Sequence, residues 1–264
     1  FQLARRMHYM GLLKLFSTGE NMLKNTFFCL LIFAGALQVS QASLATADTS
    51  DSLNEVAHKI AGLFRQFVRF DKDNHASRPV FLKPHACALG TFTISKDLDK
   101  KYKIGLFKNE AAHKVLVRFS SDTSPGTSDH ENSTIGMALK LYRVPGDKVL
   151  SGEETSKEHD FLTQNHNVFF VDTAKDFLDF TQSIVDRNVD GYLKEHPRFS
   201  KVLDDMNKVT KSVLANTYGS TTPYKFGHTY AKYKIVPCKE VSAEEPPKDK
   251  NNYLRDRLEK DLKT

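Results

Sequence analysis

Four short β-like runs, following one another along the chain, restrict its fold more than any other feature. They are GTFTI at 90–94, HKVLVRFS at 113–120, GMALKLYRV at 136–144 and NVFFV at 167–171. Val, Leu, Phe and Thr dominate these runs, and polar turns separate them. Helical patterns follow, and two more strand patterns stand at 222–227 and 230–238. Strands, then helices, then strands predict an α+β fold with an antiparallel sheet or barrel.

Apolar residues at helical spacing predict the helices that flank this sheet. One amphipathic helix is predicted over residues 51–69, with Asp51 or Ser52 as its N-cap. Two further helices are predicted over 174–188 and 195–217. The segment YLRDRLEKDLK, after a polar linker, starts another helix.

The N-terminal region has the pattern of a secretory signal peptide. From Met22 a lysine precedes the apolar run TFFCLLIFAGAL, and small residues at cleavage-like spacing follow it. We expect a signal peptide over 22–45, a secreted or secretory-lumen protein, and no stable membrane span after its removal. A membrane anchor or a buried helix is the alternative. Residues 1–21 are interpreted as upstream translation or a dispensable leader, and residues 46–264 as the folded domain.

The charge and the cysteines exclude some functions. Half of the net charge of +6 falls in residues 1–45, where four basic side chains stand against one acid. The remaining basic residues form no block, which argues against nucleic-acid binding. In the predicted domain Cys87 and Cys238 either pair or remain thiols, and no Cys/His spacing predicts a metal site.

Generic catalytic motifs are absent from the sequence. It contains no glycine-rich phosphate loop after a strand, no GxSxG and no HExxH. Polar residues at strand ends, among them His85, Asn165 and Arg118, could still meet in one cavity.

Longer sequence segments that contain the predicted strands resemble a known protein family. VLVRFSSDTSPGTSDHENSTIGMALKLY at 115–142 and HDFLTQNHNVFFVDTAKDF at 159–177 resemble the catalase superfamily. RPVFLKPHACALGTFTI and TPYKFGHTYAKYKIVPC extend the likeness over residues 53–264, toward the smaller catalase-like haem proteins. The resemblance implies an antiparallel β-barrel with flanking helices and haem b in a deep pocket. It also implies peroxide or a small hydroperoxide as substrate, and leaves homo-oligomers open.

The resemblance also assigns roles to single residues. Asn165 matches the amide that orients peroxide, although alignment on NVFF permits Gln164 instead. Four further positions match haem-binding residues: Arg78 and Arg118 for the propionates, Ser120 for the ring of the distal histidine, and Phe177 for the haem face.

Two departures weaken the implied activity. The family pattern R-x-x-H-x-K reads Arg78-Pro79-Val80-Phe81-Leu82-Lys83 here, so Phe81 stands where the distal histidine belongs. Phenylalanine cannot transfer a proton, and His85 is the remaining candidate for that role. None of Tyr218, Tyr224, Tyr230, Tyr233 and Tyr253 stands four residues after an arginine, and the proximal pattern R-x-x-x-Y of the family lies beyond the equivalent of residue 264.

Three functions therefore remain open. The leading hypothesis is a haem-dependent catalase or peroxidase that acts on hydrogen peroxide or organic peroxides. The second is a non-catalytic catalase-fold protein that serves as a binding module. The third is a haem enzyme that rearranges lipid hydroperoxides, which bring their own O–O bond and need less distal proton transfer.

Overall fold

A computed structural model describes residues 9–16, 26–33, 52–148, 152, 154–241 and 244–263, the first two ranges as backbone only. The strands are β1 Tyr9–Phe16, β2 Thr26–Phe33, β3 Lys83–Ile94, β4 Ala111–Ser121, β5 Ile135–Tyr142, β6 Glu158–Gln164, β7 Tyr218–Gly219, β8 Tyr224–Phe226 and β9 Thr229–Pro237. The helices are α1 Leu53–Arg65, α2 Ala174–Val185, α3 Val189–Glu195, α4 Pro197–Met206 and α5 Tyr253–Lys263.

The strands form one antiparallel sheet, which confirms the predicted α+β class. Strands β3 to β9 give an open sheet in the order β3-β4-β5-β6-β7-β9-β8, so these seven strands do not close into a barrel. Strand β1 pairs with β3, strand β2 pairs with β9, and β1 pairs with β2. Both N-terminal strands lie in the region interpreted as leader and signal peptide, and that interpretation stays a prediction.

Alternation along the strands separates a core face from an outer face. In β4, Val115, Val117 and Phe119 are buried against the core, whereas Arg118 and Ser120 point to the outer face. Phe92 of β3 stacks on Phe161 of β6 within the same core, at 5.7 Å between ring centroids. Each such phenylalanine contributes about 2 kcal/mol by leaving water, so the inner face is what holds the sheet together.

The helices pack around a second, smaller cluster of aromatic side chains. Phe64 of α1 and Phe177 of α2 meet at 5.8 Å between ring centroids. Capping boxes start both helices, Ser52 with Glu55 in α1 and Thr173 with Asp176 in α2. The Ser52 cap confirms one of the two predicted N-caps. No helix in the described part of the chain is both long and apolar enough to cross a bilayer.

Two predicted elements were wrong in type or extent, and two observed elements were not predicted. Residues 167–171 form a bend rather than a strand, because Phe169 and Phe170 pack into the aromatic cluster instead of pairing. The missing strand is the more polar β6, which lies just before them. The helix predicted over 195–217 ends at Met206, and the separate helix α3 precedes it.

Candidate functional site in the outer face of the sheet

A cavity of about 570 Å³ opens on the outer face of the sheet, and we call it the sheet cavity. Outward-facing residues of β4, β5 and β6 form its floor, and the segments before β3 and after β6 form its rim. The lining residues that matter below are Arg78, Phe81, Cys87, Arg118, Ser120, Gln164 and Phe169.

Arg118 is held firmly in the floor of the sheet cavity. Its Nη1 donates to Ser120 Oγ at 2.7 Å, and its Nη2 donates to the backbone carbonyl of Phe81 at 2.8 Å. The family resemblance predicts that Ser120 forms a hydrogen bond with the ring of the distal histidine. In this structure the Ser120 hydroxyl oxygen instead accepts a hydrogen bond from the Arg118 guanidinium. The two bonds fix the guanidinium plane beside the cavity.

Phe81 forms part of the cavity wall in a conformation that few residues adopt. Its φ of 51° lies in the left-handed region, which costs a non-glycine residue about 1–2 kcal/mol. Its ring packs on Gly136 of β5, where an added Cβ would lie 2.8 Å from ring carbons. The close approach of the Phe81 ring to β5 therefore requires a glycine at position 136.

The sheet cavity carries an excess of positive charge. Lys140 is neutralised by Glu158 and Asp160, at 2.7 and 3.1 Å. Arg78 and Arg118 form no ion pair with any carboxylate that the structure describes. Burial lowers the pKa of Arg118, and the nearby charge of Arg78 lowers it further, although an arginine remains protonated. Two neighbouring guanidiniums without a counter-ion favour an anionic ligand.

Of the two candidate amides, Gln164 lines the cavity and Asn165 does not. The Asn165 side chain serves the backbone, because Oδ1 accepts from the Ile135 N–H at 3.1 Å and Nδ2 donates to the Met206 carbonyl at 3.4 Å. Gln164 Oε1 is buried and has no hydrogen-bond donor among the described residues. Of these two residues, Gln164 is therefore the cavity-lining one, and its amide oxygen is not engaged by a described residue.

His85 lies away from the sheet cavity because β3 contains a bulge at that residue. The pairing with β4 shifts between Pro84 and Ala86, so the side chain of His85 is turned to the face opposite that of Cys87. Cys87 consequently lines the sheet cavity as a free, exposed thiol, which excludes a bond to Cys238.

On its own side of β3, His85 belongs to a buried polar cluster at the start of helix α5. Asp129 Oδ1 lies 2.6 Å from Lys83 Nζ and 3.6 Å from His85 Nδ1. Burial is the main reason why the pKa of His85 falls to about 4, with the charges of Lys83, Arg118 and Arg255 adding to the effect and that of Asp129 opposing it. His85 is therefore a neutral imidazole near pH 7.

The structure brings three predicted cofactor-binding residues together and leaves one apart. Arg78, Arg118 and Ser120 share the sheet cavity. Phe177 packs in the aromatic cluster instead, with its ring centroid 5.2 Å from that of Phe169, which does line the cavity. The roles proposed for all these residues stay predictions.

Comparison with known protein families decides the family. The chain matches the family model described as Catalase over residues 41–235, well over half of its 264 residues. The chain belongs to the catalase family. No curated protein sequence matches it significantly. In this catalase-family chain Arg118, Ser120 and Phe81 line the sheet cavity together, and the roles that the resemblance implies for these positions stay predictions.

Sequence reasoning missed part of this site in the catalase-family chain. The sequence leaves open whether Cys87 pairs or remains a thiol and does not place it in a site, and it offers Gln164 only as an alternative to Asn165. Strand alternation could have signalled Gln164, because it has the same parity as Leu162, an outward residue of β6 that also lines the cavity.

Proposed function

We propose that this catalase-family protein binds haem in the sheet cavity and acts on peroxides. The observation that supports the proposal is the pair of guanidiniums, Arg78 and Arg118, beside a largely apolar cavity on the outer face of the sheet. Haem b is a flat apolar ligand with two propionate groups, and it supplies the redox chemistry of peroxide reactions when bound.

The residues of the sheet cavity fit such a ligand. Arg78 and Arg118 would hold the propionates through charge-assisted hydrogen bonds. The apolar surface of the ligand would lie against Phe81, Phe169 and Leu162, the last of which is otherwise 62% exposed. No axial ligand is assigned to any residue of this chain.

Proton transfer is the weak point of the proposed site. No histidine lines the sheet cavity, and Phe81 can neither accept nor donate a proton. Gln164 Oε1 could accept a hydrogen bond from the O–H of a hydroperoxide and so orient it, but an amide does not take up the proton. We therefore expect organic hydroperoxides to be better substrates than hydrogen peroxide, since their alkyl groups also suit the apolar wall.

The experiment reconstitutes the full chain with hemin and compares two substrates. Peroxidase turnover with cumene hydroperoxide should exceed that of an equal concentration of free hemin by about 10²-fold or more, the range of general positioning effects. Turnover with hydrogen peroxide should remain close to that of free hemin. A protein that neither binds hemin nor accelerates either reaction would end the proposal.

A second candidate is a non-catalytic haem-binding protein, and Phe81 is the observation that favours it. In that case the chain binds hemin with defined stoichiometry, but turnover with both hydroperoxides equals that of free hemin. The same assay therefore separates the two functions.

We also infer that the protein is secreted after cleavage near residue 45, as the segment 22–45 suggests. Cleavage would remove β1 and β2, which pair with β3 and β9. N-terminal sequencing of the protein from culture medium tests the inference, and a mature protein that still begins before residue 22 would contradict it.

A further inference from the structure

We propose that a second cavity, between the start of β3 and the N-terminus of α5, binds a protonated phosphate group, as inorganic phosphate or as a phosphate monoester. This β3–α5 cavity measures about 560 Å³ and shares no lining residue with the sheet cavity. Its charged and titratable lining residues are Lys83, His85, Asp129, Lys250, Arg255 and Asp256.

The charges around the β3–α5 cavity leave one guanidinium available. Lys83 pairs with Asp129 at 2.6 Å, and Lys250 pairs with Asp256 at 2.8 Å. Arg255 donates its Nε–H to the backbone carbonyl of His85 at 3.0 Å and forms no ion pair with a described residue. Its terminal N–H groups can therefore bind two oxygens of an oxyanion.

The N-terminus of α5 adds to this preference for an anion. The helix spans Tyr253–Lys263, and the cavity is lined by Arg255 and Asp256 of its first turn and by residues 250–252 just before it. Asp129 already caps the helix, because its Oδ2 accepts the Leu254 N–H at 2.9 Å. The helix dipole still favours negative charge at this end.

His85 decides which oxyanion fits. Its side chain is 2% exposed, and its Nδ1 faces Asp129 Oδ1 at 3.6 Å. A carboxylate on that side favours the tautomer with the proton on Nδ1, so Nε2 carries a lone pair. Nε2 is buried and has no partner among the described residues. A buried acceptor without a hydrogen bond costs free energy, and a ligand with an O–H donor would recover that free energy by binding to Nε2.

Phosphate and sulfate differ in this respect. Both present oxygens to Arg255, but at the pH of 6.5 used below inorganic phosphate retains a P–O–H group and a monoester with a second pKa of about 6 retains one in part of its molecules, whereas sulfate carries no proton. A protonated phosphate can donate to Nε2 while its other oxygens accept from the guanidinium. Sulfate would set a lone pair against the lone pair of Nε2.

Titration calorimetry of the full chain at pH 6.5 in chloride buffer tests this inference, with inorganic phosphate, glycerol 2-phosphate and sulfate as probes. We expect the Kd of phosphate to be lower than that of sulfate by about tenfold or more. This factor corresponds to the free energy of one hydrogen bond to a buried acceptor. Tighter binding of glycerol 2-phosphate than of phosphate would identify a monoester as ligand, and the reverse order would identify the free ion. Equal affinities for phosphate and sulfate, or no binding of either phosphate compound, would overturn the proposal.

Variants locate the binding site. Arg255→Gln should weaken phosphate binding about tenfold or more, through the loss of a charge-assisted contact. The matched control is Arg198→Gln, since Arg198 is an exposed arginine that pairs with Asp172 and does not line the β3–α5 cavity. His85→Gln should bring the phosphate and sulfate affinities together, because the glutamine amide can donate as well as accept. Unchanged binding in Arg255→Gln, or an equal loss in the control, would refute the site even if His85→Gln did not fold.

Discussion

Arg118 and Phe81 are joined by a hydrogen bond of 2.8 Å from the Arg118 guanidinium to the Phe81 carbonyl. The bond links the floor of the sheet cavity to its wall. It also holds the backbone of Phe81, whose φ of 51° needs support from its surroundings. One side chain therefore contributes both to the shape of the cavity and to its charge.

Arg118→Gln should weaken hemin binding by the full chain by about 10- to 100-fold, the loss expected for one charge-assisted hydrogen bond. Titration followed by the Soret band measures the affinity. Arg65→Gln is the matched control, since Arg65 is an exposed residue of α1 and does not line the cavity. Equal affinities of Arg118→Gln and the wild type would remove Arg118 from the haem site.

Phe81→His should increase oxygen release from hydrogen peroxide by the hemin-loaded protein by about 10²- to 10⁴-fold, the usual contribution of a positioned general base. Histidine tolerates the left-handed backbone better than most residues, so the substitution suits this position. Phe81→Leu is the control, and it should leave oxygen release at the wild-type level. If the histidine adds no activity, Phe81 is not what limits the reaction.

The buried, neutral His85 should make the protein less stable in mild acid. Its pKa is about 4 in the native state and 6.5 in the unfolded chain, so between these values the unfolded state binds more protons. The free energy of unfolding should therefore decrease as the pH falls from 6.5 to 4, by on the order of 2–3 kcal/mol.

Urea unfolding at pH 7 and pH 4.5 measures this pH dependence. The decrease should be smaller in His85→Gln than in the wild type, whereas His228→Gln should behave like the wild type, because His228 is exposed. The same pH dependence in all three proteins would show that His85 does not cause it.

Tyr253→Phe should lower the free energy of unfolding by about 1–3 kcal/mol, because it leaves buried carbonyls without a donor. The Tyr253 hydroxyl lies 2.9 Å from the Asp129 carbonyl and 2.7 Å from that of Thr210, and burial raises the pKa of Tyr253 to about 12. Tyr230→Phe, at a tyrosine that is 68% exposed, is the control for the urea midpoint. Equal midpoints of Tyr253→Phe and the wild type would contradict the anchoring of α5 by this hydroxyl.

The sequence predicted the fold well where a side-chain pattern extends over several turns or residue pairs. Strand β4 could be predicted from the alternation of its side chains, and helix α2 from the helical spacing of its apolar residues, without knowledge of tertiary contacts. The run 167–171 misled the prediction because its apolar side chains are buried by the helical cluster, not by the sheet. The helix predicted to continue past Met206 failed for a similar reason, since Val213 and Leu214 belong to the sheet core.

The site was predictable only in part. The family resemblance singled out Arg118 and Ser120, and strand alternation accounts for why both side chains lie on the same face of β4. The position of His85 depends on a one-residue bulge, and no local pattern in KPHAC announces it. Asn165 does not line the cavity, and its side chain bonds the Ile135 N–H and the Met206 carbonyl instead. Both outcomes are set by contacts between distant segments.

Hemin titration of the wild type and of the double variant Arg78→Gln/Arg118→Gln tests the central claim most directly. The account predicts one hemin per chain in the wild type, with a shifted Soret band. It also predicts an affinity at least about 100-fold lower in the double variant, which has lost both guanidiniums. Binding of hemin that does not depend on these two arginines, or the absence of a shifted Soret band in the wild type, would contradict a haem site in the sheet cavity.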